Sequence, residues 1–544
     1  VPRPKKPSIE PVVIRFGAGL NTRTPETRIQ PAECADGKNF DLDIKDALFA
    51  RRRPFDLVAT APNAQAIKGF AQLEKRNGTL TTLIQAGTTM YTWNGESTFV
   101  QVGTVASGAR LRGPLTANWP LDEVALIADL DEQEPVLSWD GTNLTTLAHN
   151  LGGDFFARYI AVEDERAYFA NVKSGATATP HMLVGSKRGD QKTLDVANRP
   201  ASGLSDEDPW FLLTPNLRAI NGLVSAFDRV VLSTKESRIY SLLGSSAQVS
   251  TTTDAFRFAK FYAGSGAVGD EAMVFVGNDI YIGNVGRIES LAATDTLGQV
   301  NVNDLTRQIL DDVKDIDDWT LVFNEARQKV LCFSPDKSRV FVFHKSFLDA
   351  VTRGVAAQQQ GLSEISPWSV WQTDHGLSFQ PQAVWSMKRP TDKLHHVYMG
   401  GAAGEIFQLE GSGGQDGGTA DITAERLSGV VSAPLDGEVF NVSGWVSYRR
   451  KVSGTLTITF EYGGLNLFDQ AITVTLDPTE KATHYGGVYY YGGATYYGAQ
   501  FEGRLHRKRF SIASGDSSQF QVRASFTGAT EQDIEEIGII FQSR

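Results

Sequence analysis

The residue types that most often do chemistry are present in this chain, but they do not gather into a recognisable set. The eight histidines are scattered, and the one adjacent pair, His395 and His396, falls on opposite faces if its segment is a strand. No Cys or His spacing suggests zinc. There is no phosphate loop, no Gly-x-Ser-x-Gly elbow and no Gly-x-Gly-x-x-Gly leading into a helix. The acidic run Asp129, Asp131, Glu132 and Glu134 has the residue types of a metal or acid-base site. It lacks the spacing and the glycine of a calcium loop, so it reads as a solvated turn. These absences predict no catalytic residue, no metal and no cofactor, and a protein that is not an enzyme.

Three segments carry contact chemistry instead. Tyr485 to Gly498 places six tyrosines, including Tyr489, Tyr490 and Tyr491, among glycines. Such a surface binds partners at low side-chain entropy cost and can also stack on sugars. Arg51, Arg52 and Arg53, followed by Pro54, form one dense basic patch, and Arg504 to Arg509, with Arg507 and Arg509, forms another. At a net charge of −11 these patches are expected to meet acidic surfaces of neighbouring subunits rather than to grip DNA, which needs an excess of Lys and Arg.

The elements that must position these residues are strands. Of 544 residues, 41% are hydrophobic and 21% charged, which is ordinary for a globular chain, and no apolar run is long enough to span a bilayer. The basic start, Val1 to Pro7, has no apolar stretch behind it and reads as an extended arm over residues 1–11 rather than a secretory signal. Two cysteines, Cys34 and Cys332, exclude a disulfide framework and fit assembly in a reducing cytoplasm. Two helices are expected, Asn303 to Ile316 and, more weakly, Lys345 to Gln360, in no regular alternation with strands.

A repeat organises the first three quarters. Thr82 to Ala86 followed by Thr89 to Trp93 and Asn94-Gly95 is echoed by Val124 to Ala128 followed by Pro135 to Trp139 and Asp140-Gly141. The Asn-Gly and Asp-Gly steps predict type I′ hairpins, and the 46-residue interval between the tryptophans suits one four-stranded propeller blade. Further strand pairs lie at 159–170, 229–242, 272–283, 329–343 and 396–409. Together they predict an all-β fold: a β-propeller of about six or seven blades at 12–410, a flexible Gly-rich linker at 411–419, and an antiparallel β-sandwich at 420–544. Within the last domain, Thr455 to Tyr462 and Phe520 to Phe526 alternate as half-buried strands should.

The opening of the chain adds a resemblance. Phe16-Gly-Ala-Gly-Leu-Asn-Thr, then Pro25 and Ile29, Glu33, Asn39-Phe-Asp41 and Arg51-Arg-Arg-Pro54, resembles the start of the tail tube and nozzle proteins of short-tailed bacteriophages. The resemblance is detailed over roughly forty residues and architectural beyond them. It implies a structural virion protein, assembled in the host bacterial cytoplasm into a hexameric ring in the phage tail. That ring would sit below the adaptor, beside the tail fibres, extend the portal channel, retain packaged DNA and let it pass without sequence-specific binding. The N-terminal segment is expected to lie as a strand closing the ring of blades. The Tyr/Gly run matches no motif of that family. It leaves an alternative expectation, a propeller tail protein that binds or cleaves host glycans.

Overall fold

The computed structural model describes residues 12–15, 19–23, 29, 33–43, 48–112, 118–119, 122–235, 238–252, 254–263, 266–277, 279–294, 299–346, 366–373, 381–413, 415–432, 440–449, 454–462, 465–466, 471–476, 505–511, 519–528 and 533–543. The fold is all-β, a propeller and an antiparallel sandwich. The chain divides into two compact units, one of Leu57–Val340 with Ser378–Leu409, the other of Val1–Asp56, Phe341–Leu377 and Glu410–Arg544.

In the first of these units, four-stranded antiparallel sheets follow one another along the chain. Blade one is Ile67–Glu74, Leu80–Ala86, Thr89–Trp93 and Phe99–Thr104. Blade two begins with the short strands Leu111–Arg112 and Asn118–Trp119, both paired with Val124–Asp129, and ends with Leu137–Trp139 and Leu144–Thr146. Blades three to five run Phe155–Glu163 to Trp210–Leu213, Ile220–Ala226 to Arg257–Ala263, and Met273–Val276 to Gln299–Asp304. Thr320–Asn324 and Lys329–Phe333 open blade six. Blade seven is Ala383–Lys388, His395–Gly400 and Glu405–Gln408, and Asp56–Thr60 from far upstream supplies its outer strand. The innermost strands pack in chain order and return from blade seven to blade one, so the ring closes.

Burial grades outward as this geometry demands. Every residue of Val124–Asp129 is buried, because that strand is covered on both faces. The outermost strand of blade one, Phe99–Thr104, has no buried residue. Apolar side chains fill the gaps between blades. Ile67, Ile84, Trp93, Trp385 and Tyr398 close blade seven on blade one, and Leu83, Met90, Leu111, Ile127 and Trp139 join blades one and two.

The loops depart from the sequence expectation. After Trp93 the strands are separated by five residues and after Trp139 by four, so neither loop is a two-residue type I′ turn. Asn94 and Asp140 accept hydrogen bonds from backbone N–H groups two to four residues on, closing Asx turns in which the following glycine takes positive φ. Two-residue turns in which both residues take positive φ without a glycine occur instead at Asp164-Glu165 and Phe227-Asp228. The expected helix at 303–316 also shrinks. Asn303 and Asp304 finish the outer strand of blade five, and only Arg307–Ile309 and Leu310–Val313 make short helical turns. The second candidate, 345–360, lies almost wholly outside the described residues.

The other unit is the sandwich. One sheet is ordered Phe40–Asp43, Leu48–Arg51, Asp533–Ser543, Phe440–Arg449, Leu505–Ser511, with Val12–Arg15 also on Asp533–Ser543. The other is ordered Cys34–Lys38, Ile422–Ser428, Gln519–Gly528, Gly454–Tyr462, the last also pairing Ile472–Leu476. Leu456, Ile458 and Phe460 point inward between more exposed threonines, as their alternation requires. The opening residues therefore supply four strands to the sandwich. They do not close the propeller, a role taken by Asp56–Thr60. The boundary expected at residue 12 also differs from the observed division, which groups everything up to Asp56 with the C-terminal strands.

Candidate functional site

The seven inner strands surround a cavity of about 380 Å³. Its walls are mostly apolar, with Leu321, Val322 and Phe323 of the blade six inner strand among the lining residues. Phe275, which belongs to an innermost strand and is 38% exposed, borders the cavity and meets the Phe227 ring edge-to-face with centroids 6.0 Å apart.

Charge is concentrated where arginines of blades two and three meet two carboxylates of blade five. Asp270 and Glu271 precede the inner strand of blade five. Asp270 accepts from Arg110 Nη2 at 2.8 Å and Arg158 Nη2 at 2.6 Å, with the Tyr159 hydroxyl at 3.4 Å. Glu271 is held in a fork by Arg112, Nε at 2.5 Å and Nη2 at 3.1 Å, and the third nitrogen of Arg112 donates to the Lys68 carbonyl at 2.5 Å. The Arg112 guanidinium also lies 4.9 Å from the Phe70 ring centroid, a cation on the cavity's aromatic wall. Arg110 makes a second fork, to Asp131 at 2.6 and 2.8 Å.

Charge pairing decides what this network can do. The hydrogen bonds from Arg110 hold the Asp131 carboxyl below its ordinary range, and Asp131 in turn raises the Arg110 guanidinium. Burial raises the Tyr159 phenol far above its usual value, so it stays protonated. Each carboxylate here is committed to a guanidinium, and a proton-transferring pair needs one that is not. The network works as a brace tying blades one, two, three and five. Among the described residues, no group of three His, Cys, Asp or Glu side chains is placed to hold a metal ion.

No local signal marks this network in the sequence, since Arg110-Leu-Arg112 and Gly269-Asp-Glu271 are ordinary tripeptides that meet only when the ring closes. The run at 129–134 also differs from the solvated turn expected. Asp129 is 1% exposed and accepts from four backbone N–H groups, those of Arg110, Asp131, Gln133 and Glu134, so it folds its own turn from inside.

The residues singled out for contacts fare differently from one another. Arg51 and Arg52 are 3% and 0% exposed, so neither offers its side chain to a neighbouring subunit. Arg52 is spent inside its own unit: Nη1 and Nη2 donate to the two Asp416 oxygens at 2.9 and 2.5 Å, and Nε to Asn39 Oδ1 at 2.9 Å. Its guanidinium stacks 3.8 Å from the Phe55 ring centroid. Arg53 is half-buried. The partner carboxylate of Arg52 lies 364 residues away, in the segment expected to be a flexible linker. That segment is strapped down, with Gly411 and Gly417 N–H bonded to the carbonyls of Pro54 and Phe55. Tyr489, Tyr490 and Tyr491 lie outside the described residues, and Arg507 and Arg509 fall in the strand Leu505–Ser511.

No protein-family model matches the chain, and no curated protein matches it by sequence. Solved structures do. Virginiamycin B lyase from Staphylococcus aureus, a catalytically inactive variant with quinupristin, is similar at TM-score 0.39 and 8% identity, over 65% of this chain and 98% of its own. YCF48 from Cyanidioschyzon merolae is similar at 0.37 and 10%, over 65% and 98%. PorZ from Porphyromonas gingivalis is similar at 0.36 and 10%, over 77% and 46%.

Proposed function

We propose that this chain is a structural protein of a short-tailed phage, the subunit of a ring-forming tail nozzle that conducts DNA and does no chemistry of its own. The observation that carries the reading is the role of the residues behind the resemblance. Asn39, at φ 54°, donates from its amide to the Thr423 carbonyl and accepts from both Arg52 Nε and Gln372 N. The Asn-Phe-Asp and Arg-Arg-Arg-Pro phrases thus form a buried scaffold. A phrase shared for architecture behaves in this way.

The central cavity supports the same reading from another side. At about 380 Å³ it is far too small to admit a DNA duplex. A DNA channel would therefore run between subunits of a ring, with the propeller as a wall element. The chain's charge of −11 suits a wall that DNA slides past, because each phosphate neutralised by a Lys or Arg adds affinity and slows passage.

Mass photometry of the purified protein, alone and with the adaptor of the same phage, tests the proposal. Discrete species near six times the 59.3 kDa chain mass support it. A monomer that never joins a tail particle and instead binds or hydrolyses host glycans would replace it with the glycan reading.

A further inference from the structure

The central cavity has no part in the assembly reading, and one charged group on its wall is left with an unmet hydrogen bond. Arg158, on the innermost strand of blade three, borders the cavity and its side chain is 22% exposed. Its Nη2 donates to Asp270 at 2.6 Å, whereas Nε and Nη1 have no partner among the described residues, and Nε has no accessible surface. Nη1 is therefore the donor that remains at the wall. The charges around it are already balanced. The guanidinium groups of Arg110, Arg112 and Arg158 face the carboxylates of Asp131, Asp270 and Glu271, three of each sign. An added anion would leave a negative charge without a counter-ion of its own, beside the apolar side chains of Leu223, Val224, Leu321 and Phe323. An added cation fares no better, because the remaining carboxylate at the wall, Glu325, is 61% exposed and faces His395 Nε2 at 3.4 Å. A neutral acceptor meets Nη1 and leaves the balance intact.

We propose that this cavity is a binding site for a small neutral molecule with an apolar body and one strong acceptor oxygen, such as a ketone or a tertiary amide, held by Arg158 Nη1. The body rests on the apolar inner strands, and the oxygen accepts the hydrogen bond that the protein leaves unmade. The volume lies at the lower end of the roughly 300–1,000 Å³ typical of small-molecule sites, which are mostly apolar with a few placed polar groups. All the lining residues belong to the propeller unit, so the site exists in each subunit with or without a ring.

Isothermal titration of the full chain with three compounds of one skeleton tests it: 4-phenyl-2-butanone, 3-phenylpropionate and the ammonium form of 4-phenylbutan-2-amine. The ketone is expected to bind one site per chain, at least about tenfold more tightly than either ion. Arg158→Met leaves Asp270 paired with Arg110 and should weaken the ketone about tenfold, as loss of one hydrogen bond from a charged donor implies. Should that variant not fold, infrared spectroscopy of the ketone, isotope-labelled at its carbonyl and bound to the unaltered chain, makes the same test. A carbonyl held by a guanidinium absorbs at or below its position in water, and one that meets no donor moves up toward its position in a hydrocarbon solvent. Absence of saturable binding at millimolar ketone, binding of either ion as tight as that of the ketone, an unaltered affinity in folded Arg158→Met, or a carbonyl band at the hydrocarbon position would each overturn the proposal.

Discussion

Changing Asp416 to Ala removes the carboxylate that faces a guanidinium with no exposed surface. Arg52 and Asp416 side chains are 0% and 1% exposed, so water cannot replace the lost partner. Breaking a buried pair from one side costs about 3–5 kcal/mol, because a buried charge is left uncompensated. The Phe55 N–H, which donates to Asp416 Oδ1 at 2.8 Å, is orphaned as well. Against a total of roughly 5–15 kcal/mol this is a large fraction. With urea slopes of about 1–3 kcal/mol per M, the midpoint of the unit holding the pair should fall by more than about 1 M. Trp371 reports on it, since its ring sits 6.3 Å from Phe55 and its indole donates to the Phe40 carbonyl at 3.0 Å. Equilibrium unfolding followed by tryptophan fluorescence is the assay, and two transitions can occur because there are two units. Arg52→Lys should also be destabilising, since an ammonium cannot reproduce the fork to Asp416. The penalty should be the same at low and high salt, because a buried pair is little screened. A loss below about 1 kcal/mol for Asp416→Ala, or a penalty that salt removes, would refute the argument that this pair is dry and structural.

The remaining predictions probe other parts of the molecule. Gly283→Ala places a Cβ 2.6 Å from the Trp319 side chain, which is fixed by its indole bond to the Asn284 carbonyl, and should cost about 1–3 kcal/mol in a thermal or chemical melt. Glu289 has its carboxyl raised by burial, so the fold favours its neutral form and bears a penalty at pH 7. Glu289→Gln should therefore stabilise at pH 7. The gain should shrink as pH falls through the raised folded value and vanish below the ordinary carboxyl range. Both cysteines are buried, with the Cys34 thiol pushed up to about 11 by burial, so a thiol reagent should label neither before unfolding and both after it. The isolated protein should bind duplex DNA weakly. Arg52→Ser should alter its stability rather than that binding, as a gel-shift series at several salt concentrations would show.

Much of the architecture could be read from residues alone, because a blade needs only local signals. Strand pairs such as Arg229–Thr234 with Arg238–Leu243 declare themselves by β-branched and aromatic residues around short polar turns. Gly454–Tyr462 begins and ends where its alternation does. What could not be read depends on partners remote in sequence. Nothing near Asn39 or Arg52 announces Thr423, Gln372 or Asp416, so a buried scaffold looked like a surface charge run. The same holds for Arg112 and Glu271, which are joined only by closure of the ring. Turn chemistry misled in a different way. Asn94-Gly95 fits a type I′ hairpin, but the Asn94 side chain organises a longer loop by bonding Glu96 and Thr98, a competition that the dipeptide does not reveal.

The central claim is that copies of this chain enclose a channel while the propeller itself is not one. Electron cryomicroscopy of the assembled protein tests it most directly. The account predicts a closed ring of about six subunits whose lumen passes between them and is wide enough for duplex DNA, with each central cavity still bordered by Arg112 and Glu271. A protein that stays monomeric at every concentration and with its adaptor would contradict it, and so would a ring with no lumen between its subunits.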